Sequence, residues 1–139
     1  MKFNVNQQEL QQALNFCQGV IEKRSTLPIL SNILLDAQNS KLTITATDLD
    51  LIFIHKIQNI EVIEEGKTTT SSSIIFDIVR KIASGSQINF ENSGESKLQL
   101  ESNKSVFNLN SINASEFPIT DENFNENEFF INSKDLLKL

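Results

Sequence analysis

Tryptophan and tyrosine are absent from this chain, and cysteine, histidine and methionine occur once each. A lone Cys17 excludes an internal disulfide and any cysteine-based zinc cluster. With His55 as the single histidine, a metal site built on nitrogen and sulfur is excluded as well. No window holds enough consecutive apolar residues to cross a bilayer, and the opening MKFNVNQQEL has no continuous apolar core of the kind a signal peptide needs. These absences fit a cytoplasmic protein in a reducing compartment, with no membrane partner. Basic residues are scarce too: 12 Lys and Arg face 18 Asp and Glu, for a net charge of -6 and a pI near 4.8. Phosphate affinity comes from Lys and Arg, so this balance argues against a dedicated nucleic-acid binder. It leaves room for a protein that gathers its few cations on one face.

The 139 residues suffice for one domain with a real core, burying about two-thirds of its unfolded surface. Phe3 and Val5 alternate with polar neighbours, as in a strand. Asn6 and Glu9 read as a capping box opening a helix. Leu10, Ala13, Leu14, Cys17 and Ile21 form its apolar stripe, and Gln7, Gln8, Gln11 and Gln12 its polar face. A loop follows, Leu27-Pro28 forces an extended entry, and strands are expected at 29–37, around 42–46 and at 49–57. Asp48 marks a turn. The order then recurs, with a short strand at 68–71 and a helix capped by Ser72 or Ser73. Rows Ile74, Ile78, Ile82 and Ile75, Val79, Ala83 run along that helix, and Gly85 ends it. Strands follow at 87–91, 97–101 and 105–110. The pattern is an α+β fold made of two β-α-β-β-β halves. A second repeat opens near residue 128: Phe129, Ile131, Asn132, Asp135 and Leu136 reproduce the spacing of Phe3, Val5, Asn6, Glu9 and Leu10. Residues 1–122 are therefore expected to form a first domain, and 123–139 a linker and the start of a second unit, cut short.

The inventory of reactive groups is thin, and no catalytic residue or cofactor is assigned. Asp48 and Asp50 could hold magnesium or act as acid and base, but a turn aspartate beside a solvent-facing one explains them more simply. His55 suits a sheet, Ser71-Ser72-Ser73 suits a helix cap, and Cys17 a small buried side chain. The basic residues are more suggestive. Lys23 and Arg24 follow the first helix, while Arg80 and Lys81 fall near the end of the second, in places the repeat makes equivalent. Facing one partner, the four charges form a candidate DNA contact; otherwise they are ordinary surface charge.

The opening MKFNV, the segment from Arg24 to Asn32, the run Thr45-Ala46-Thr47-Asp48-Leu49 and the later Ser115-Glu116-Phe117-Pro118 together resemble the bacterial sliding clamp family, the beta subunit of the replicative DNA polymerase. The resemblance covers the whole chain. It implies the DNA-clamp fold and a non-enzymatic processivity subunit that would form, at full length, a head-to-tail homodimeric ring. The ring would encircle double-stranded DNA without reading its sequence and would bind the replicative polymerase and clamp loader. It implies a backbone contact at Arg24 and a lumen position at Arg80, with Lys23 and Lys81 added from their placement. It also implies a subunit interface at the edge strand 105–110, through Lys104, Phe107 and Leu109, although Phe107 and Leu109 could equally belong to the core. Gln12 and Ser73 stand where clamps often carry basic residues, so little lumen charge is expected from this domain. A cytoplasmic α+β scaffold that binds other proteins through its sheet edge is the competing reading.

Overall fold

The computed structural model describes residues 1–21, 26–118 and 130–139. Strand β1 (Lys2–Asn6) leads into helix α1 (Gln7–Gln18), and β2 (Asn32–Gln38), β3 (Lys41–Thr47), β4 (Ile52–Gln58) and the short β5 (Glu61–Glu64) follow. The second series is β6 (Gly66–Ser71), α2 (Ser72–Val79), β7 (Gln87–Asn92), β8 (Lys97–Ser102) and β9 (Ser105–Asn110), and a short helix α3 spans Ser133–Leu136. The doubled strand-helix-three-strand order is therefore present, with β5 inserted as a strand of its own.

The strands form two antiparallel sheets, ordered β5-β1-β7-β8-β9 and β4-β3-β2-β6. Each half thus lends its leading strand to the sheet of the other. Strand β1 pairs with β7, Val5 opposite Ile88, and β6 pairs with β2, Thr70 opposite Ile33. The exchange is matched in charge: Lys2 reaches Glu91 at 3.0 Å, and Lys67 reaches Asp36 at 3.2 Å, each pair spanning a lent strand and its host. Both sheets and both helices bury one shared core. Phe3 and Phe90 stack at its centre, ring centroids 4.8 Å apart and both fully buried.

Local chemistry sets most boundaries. Asn6 caps α1 by accepting from the Gln8 amide at 2.9 Å, so it serves the second helical residue, whereas a capping box would serve the third. Leu10, Ala13, Leu14 and Cys17 are fully buried, as their spacing predicts. Gln7, expected on the polar face, is buried as well, because its amide nitrogen donates to the Val79 carbonyl at 2.8 Å across the helix pair. The cap of α2 is Ser71, one residue before the expected serines, and α2 ends at Val79 with Arg80 as its C-cap. The strand expected from residue 29 starts only at Asn32: after the extended Leu27, residues Pro28–Ser31 close a 3₁₀ turn, in which Ser31 Oγ donates to the Pro28 carbonyl at 2.7 Å. Asn132 caps α3 through the Lys134 amide at 3.0 Å, with backbone angles that match Asn6 within a few degrees. Asn132 thus caps α3 as Asn6 caps α1; Phe129 lies outside the described residues.

Candidate nucleic-acid interface

Helices α1 and α2 lie side by side and antiparallel. Gln7, at the start of α1, bonds to Val79 at the end of α2. Gln18, at the end of α1, donates to Ser72 Oγ at 2.8 Å, at the start of α2. Their outward residues are mostly neutral: Gln8, Gln12 and Asn15 on α1 and Ser73 on α2 are exposed. Within their bounds the helices hold one charge each, Glu9 and Asp77, and neither holds a Lys or Arg. The cations come at the end of α2. Arg80 Nη2 lies 3.1 Å from Asp77 Oδ1, and its guanidinium carbon sits 5.9 Å from the centre of the Phe76 ring. Lys81 is exposed just beyond. A cation at a helix C-terminus is favoured by the helix dipole.

Lys23 and Arg24 lie outside the described residues. The expected equivalence of the two basic pairs is corrected by the caps. Counted from Asn6 and Ser71, Arg80 is level with Asn15, whereas Lys23 and Arg24 are level with Ile88 and Asn89, inside β7. The first half therefore places a neutral residue where the second places Arg80.

Strand β9 is an outer strand of the five-stranded sheet, and among the described residues no strand pairs with its far side. Lys104 is exposed in the tight turn before it, where Asn103 takes a left-handed φ of 54°. Phe107 is half-buried against the core, and Leu109 is 7% exposed and part of the core itself. Val106, on the other face of the strand, is exposed, a feature that pattern reading missed although alternation places it opposite Phe107. Ile74, Ile78, Ile82 and Phe107 line a groove of about 340 Å3 between α2 and the β8–β9 turn, with Asp77 and Lys81 on its wall. The row Ile74, Ile78, Ile82 thus faces this groove, while Ile75 and Val79 fill the core.

The remaining candidates are structural. Asp48 Oδ1 accepts from the amides of Asp50 at 3.0 Å and Leu51 at 2.7 Å, and Asp50 is exposed. Among the described residues no group of three acidic, His or Cys side chains is placed to hold a metal. His55 packs in a ring cluster with Phe16 and Phe53, at centroid distances of 6.4 and 6.3 Å. Cys17 is buried, and burial pushes its thiol up to about 12. No described helix is long and apolar enough to cross a membrane.

A family model described as the DNA polymerase III beta subunit, N-terminal domain, matches residues 1–121. The chain is 33% identical over 141 residues to the beta sliding clamp of Caulobacter vibrioides, covering 100% of this chain and 37% of that protein. It is 34% identical over 129 residues to the beta sliding clamp of Escherichia coli K12, covering 93% of this chain and 35% of that one. Among solved structures it superposes on Caulobacter crescentus pol III beta with a TM-score of 0.92 at 31% identity, over 100% of this chain and 37% of that chain. The DNA polymerase III subunit beta from Pseudomonas aeruginosa gives 0.91 at 28% identity, over 98% of this chain and 37% of that one. The chain thus spans little more than a third of the length of these relatives.

Proposed function

Because the chain belongs to the DNA polymerase III beta subunit family, matched through its N-terminal domain, we propose that residues 1–122 are the first domain of a DNA sliding clamp, with 123–139 leading into a second domain. The full-length protein is then a head-to-tail homodimeric ring around duplex DNA. It catalyses no reaction; it tethers the replicative polymerase, is opened by a clamp loader, and works in the cytoplasm. The observation that carries this reading is the near-complete superposition on a beta subunit at a TM-score of 0.92, together with a sequence identity above 30%. At that identity the likeness extends beyond fold alone.

In this reading α1 and α2 face the duplex. Arg24 and Lys23 contact the backbone from the loop after α1, and Arg80 and Lys81 from the end of α2. Grip is topological: the ring stays on because it must open to leave, so weak phosphate contacts suffice and permit sliding. An acidic exterior is no obstacle to this. The subunit interface uses the outer edge of β9 with Lys104 and Phe107. An unpaired strand edge beside apolar side chains is a ready pairing surface. Leu109, buried in the core, supports that strand from beneath and adds only its exposed margin.

The test is retention of the full-length protein on nicked circular DNA after loading. Release on linearising the circle, at a salt concentration that leaves the circular complex intact, is the expected result. Equal retention on circular and linear DNA, or none on either, overturns the reading.

A further inference from the structure

Arg80 is tied to its own helix on two sides. Asp77 Oδ1 lies 3.1 Å from Nη2, one turn back along α2, and the Phe76 ring lies 5.9 Å from the guanidinium carbon. The side chains of Arg80 and Asp77 are 52% and 56% exposed, so the pair stands on the outer surface of the helix pair and not in the core. The α1 side chains packed on this end of α2 bring no charge: Gln7 bonds to the Val79 carbonyl, and Gln8 donates to Ser84 Oγ at 2.7 Å. Lys81 is the other charged group beside Asp77, across the groove wall.

We propose that Asp77 is a positioning residue that holds Arg80 against α2 and so sets how firmly this domain grips DNA. The proposal rests on the sliding-clamp reading. To reach a phosphate, Arg80 must leave the Asp77 carboxylate, and it can return there when the phosphate moves on. An exposed pair of this kind is weak, so the hold is partial and the guanidinium divides its time between carboxylate and backbone. Among the described residues of the two helices and their ends, Glu9 and Asp77 offset Arg80 and Lys81. A ring that must stay on and yet move gains from a cation that contacts every passing phosphate only briefly.

The test uses the full-length protein and a short labelled duplex, with affinity followed by anisotropy across a salt series. Asp77→Asn keeps the shape of the side chain and removes its charge. The expected result is tightening at low salt by about two- to five-fold, the range an exposed ion pair accounts for. The slope of log affinity against log salt should steepen by about one for each Arg80 released onto a phosphate. In an Arg80→Ala background, Asp77→Asn should change neither quantity. An unchanged affinity and slope for Asp77→Asn overturns the proposal. So does an equal gain in the Arg80→Ala background, since Asp77 would then act only by repelling phosphates. Wild-type protein that is not retained on nicked circular DNA overturns the clamp reading, and this proposal with it; retention with an unresponsive slope overturns this proposal alone.

Discussion

At the turn between β3 and β4, adjacent residues pull stability in opposite directions. Asp48 gathers two amides that would otherwise lack protein partners, and Thr47 Oγ1 accepts from the Leu49 amide at 3.0 Å and donates to the Leu51 carbonyl at 2.9 Å. These bonds hold Leu49 at a φ of 80°, in the left-handed region, with its side chain exposed. Asp48→Ala should cost about 1–2 kcal/mol in urea unfolding, from two lost charge-assisted bonds. Leu49→Gly should instead stabilise by about 0.5 kcal/mol: relief of the left-handed cost exceeds the added freedom of the unfolded chain. Cys17 gives a pH signature. Burial raises its thiol from an ordinary 9.0 to about 12 in the folded chain. Its contribution is fully present below pH 9. Above that the unfolded chain releases a proton that the folded chain keeps, so stability falls as pH rises towards 12. The slope is at most about 1.4 kcal/mol per pH unit. The stability difference between wild type and Cys17→Ala should be constant below pH 9 and change only in that window, where the wild type falls faster.

Among the elements, the lent strands matter most. Strand β1 is the chain's first strand, yet it pairs with β7 and β5 and buries Phe3 against Phe90. Phe3→Ala should cost about 3–5 kcal/mol through a large core cavity. Because β1 and β6 each lie in the sheet of the other half, the loss should lower one common unfolding transition. Circular dichroism and hydrogen exchange at β2 and β7 should shift together; separate transitions for the two sheets would contradict the interlock. The elements themselves were readable because their causes are local: the α1 stripe from Leu10 to Cys17, the threonine alternation of β3, and the bounds of β9. The exchange was not readable, since nothing near Phe3 states that its partner strand holds Phe90. Gln7 was misplaced for the same reason. Its burial depends on a carbonyl contributed by α2, and helical spacing alone puts it with the other glutamines.

For the whole molecule, charge decides how the isolated chain behaves. With a net charge of -6 and the helix surfaces close to neutral, the chain alone should bind linear duplex more weakly than about 0.1 mM, the loose end of ordinary non-specific binding. Tight binding in an electrophoretic or anisotropy assay at physiological salt would mean that its cations are gathered more closely than the helix pair indicates. The place of Arg80 near the end of α2 was legible but not its tie to Asp77, because an i, i+3 pair is one of several rotamers open to a long side chain. The edge strand was legible, whereas the division of Phe107, half-buried, from Leu109, in the core, was not, since alternation puts both on one face.

The antiparallel setting of α1 and α2 also shapes the electric field over their shared face. The amide-rich start of each helix lies beside the carbonyl-rich end of the other, so the two macrodipoles largely cancel along the common axis. Neither end of the pair is therefore a strongly positive pole, and what positive charge this surface carries comes from side chains, Arg80 and Lys81 at the end of α2.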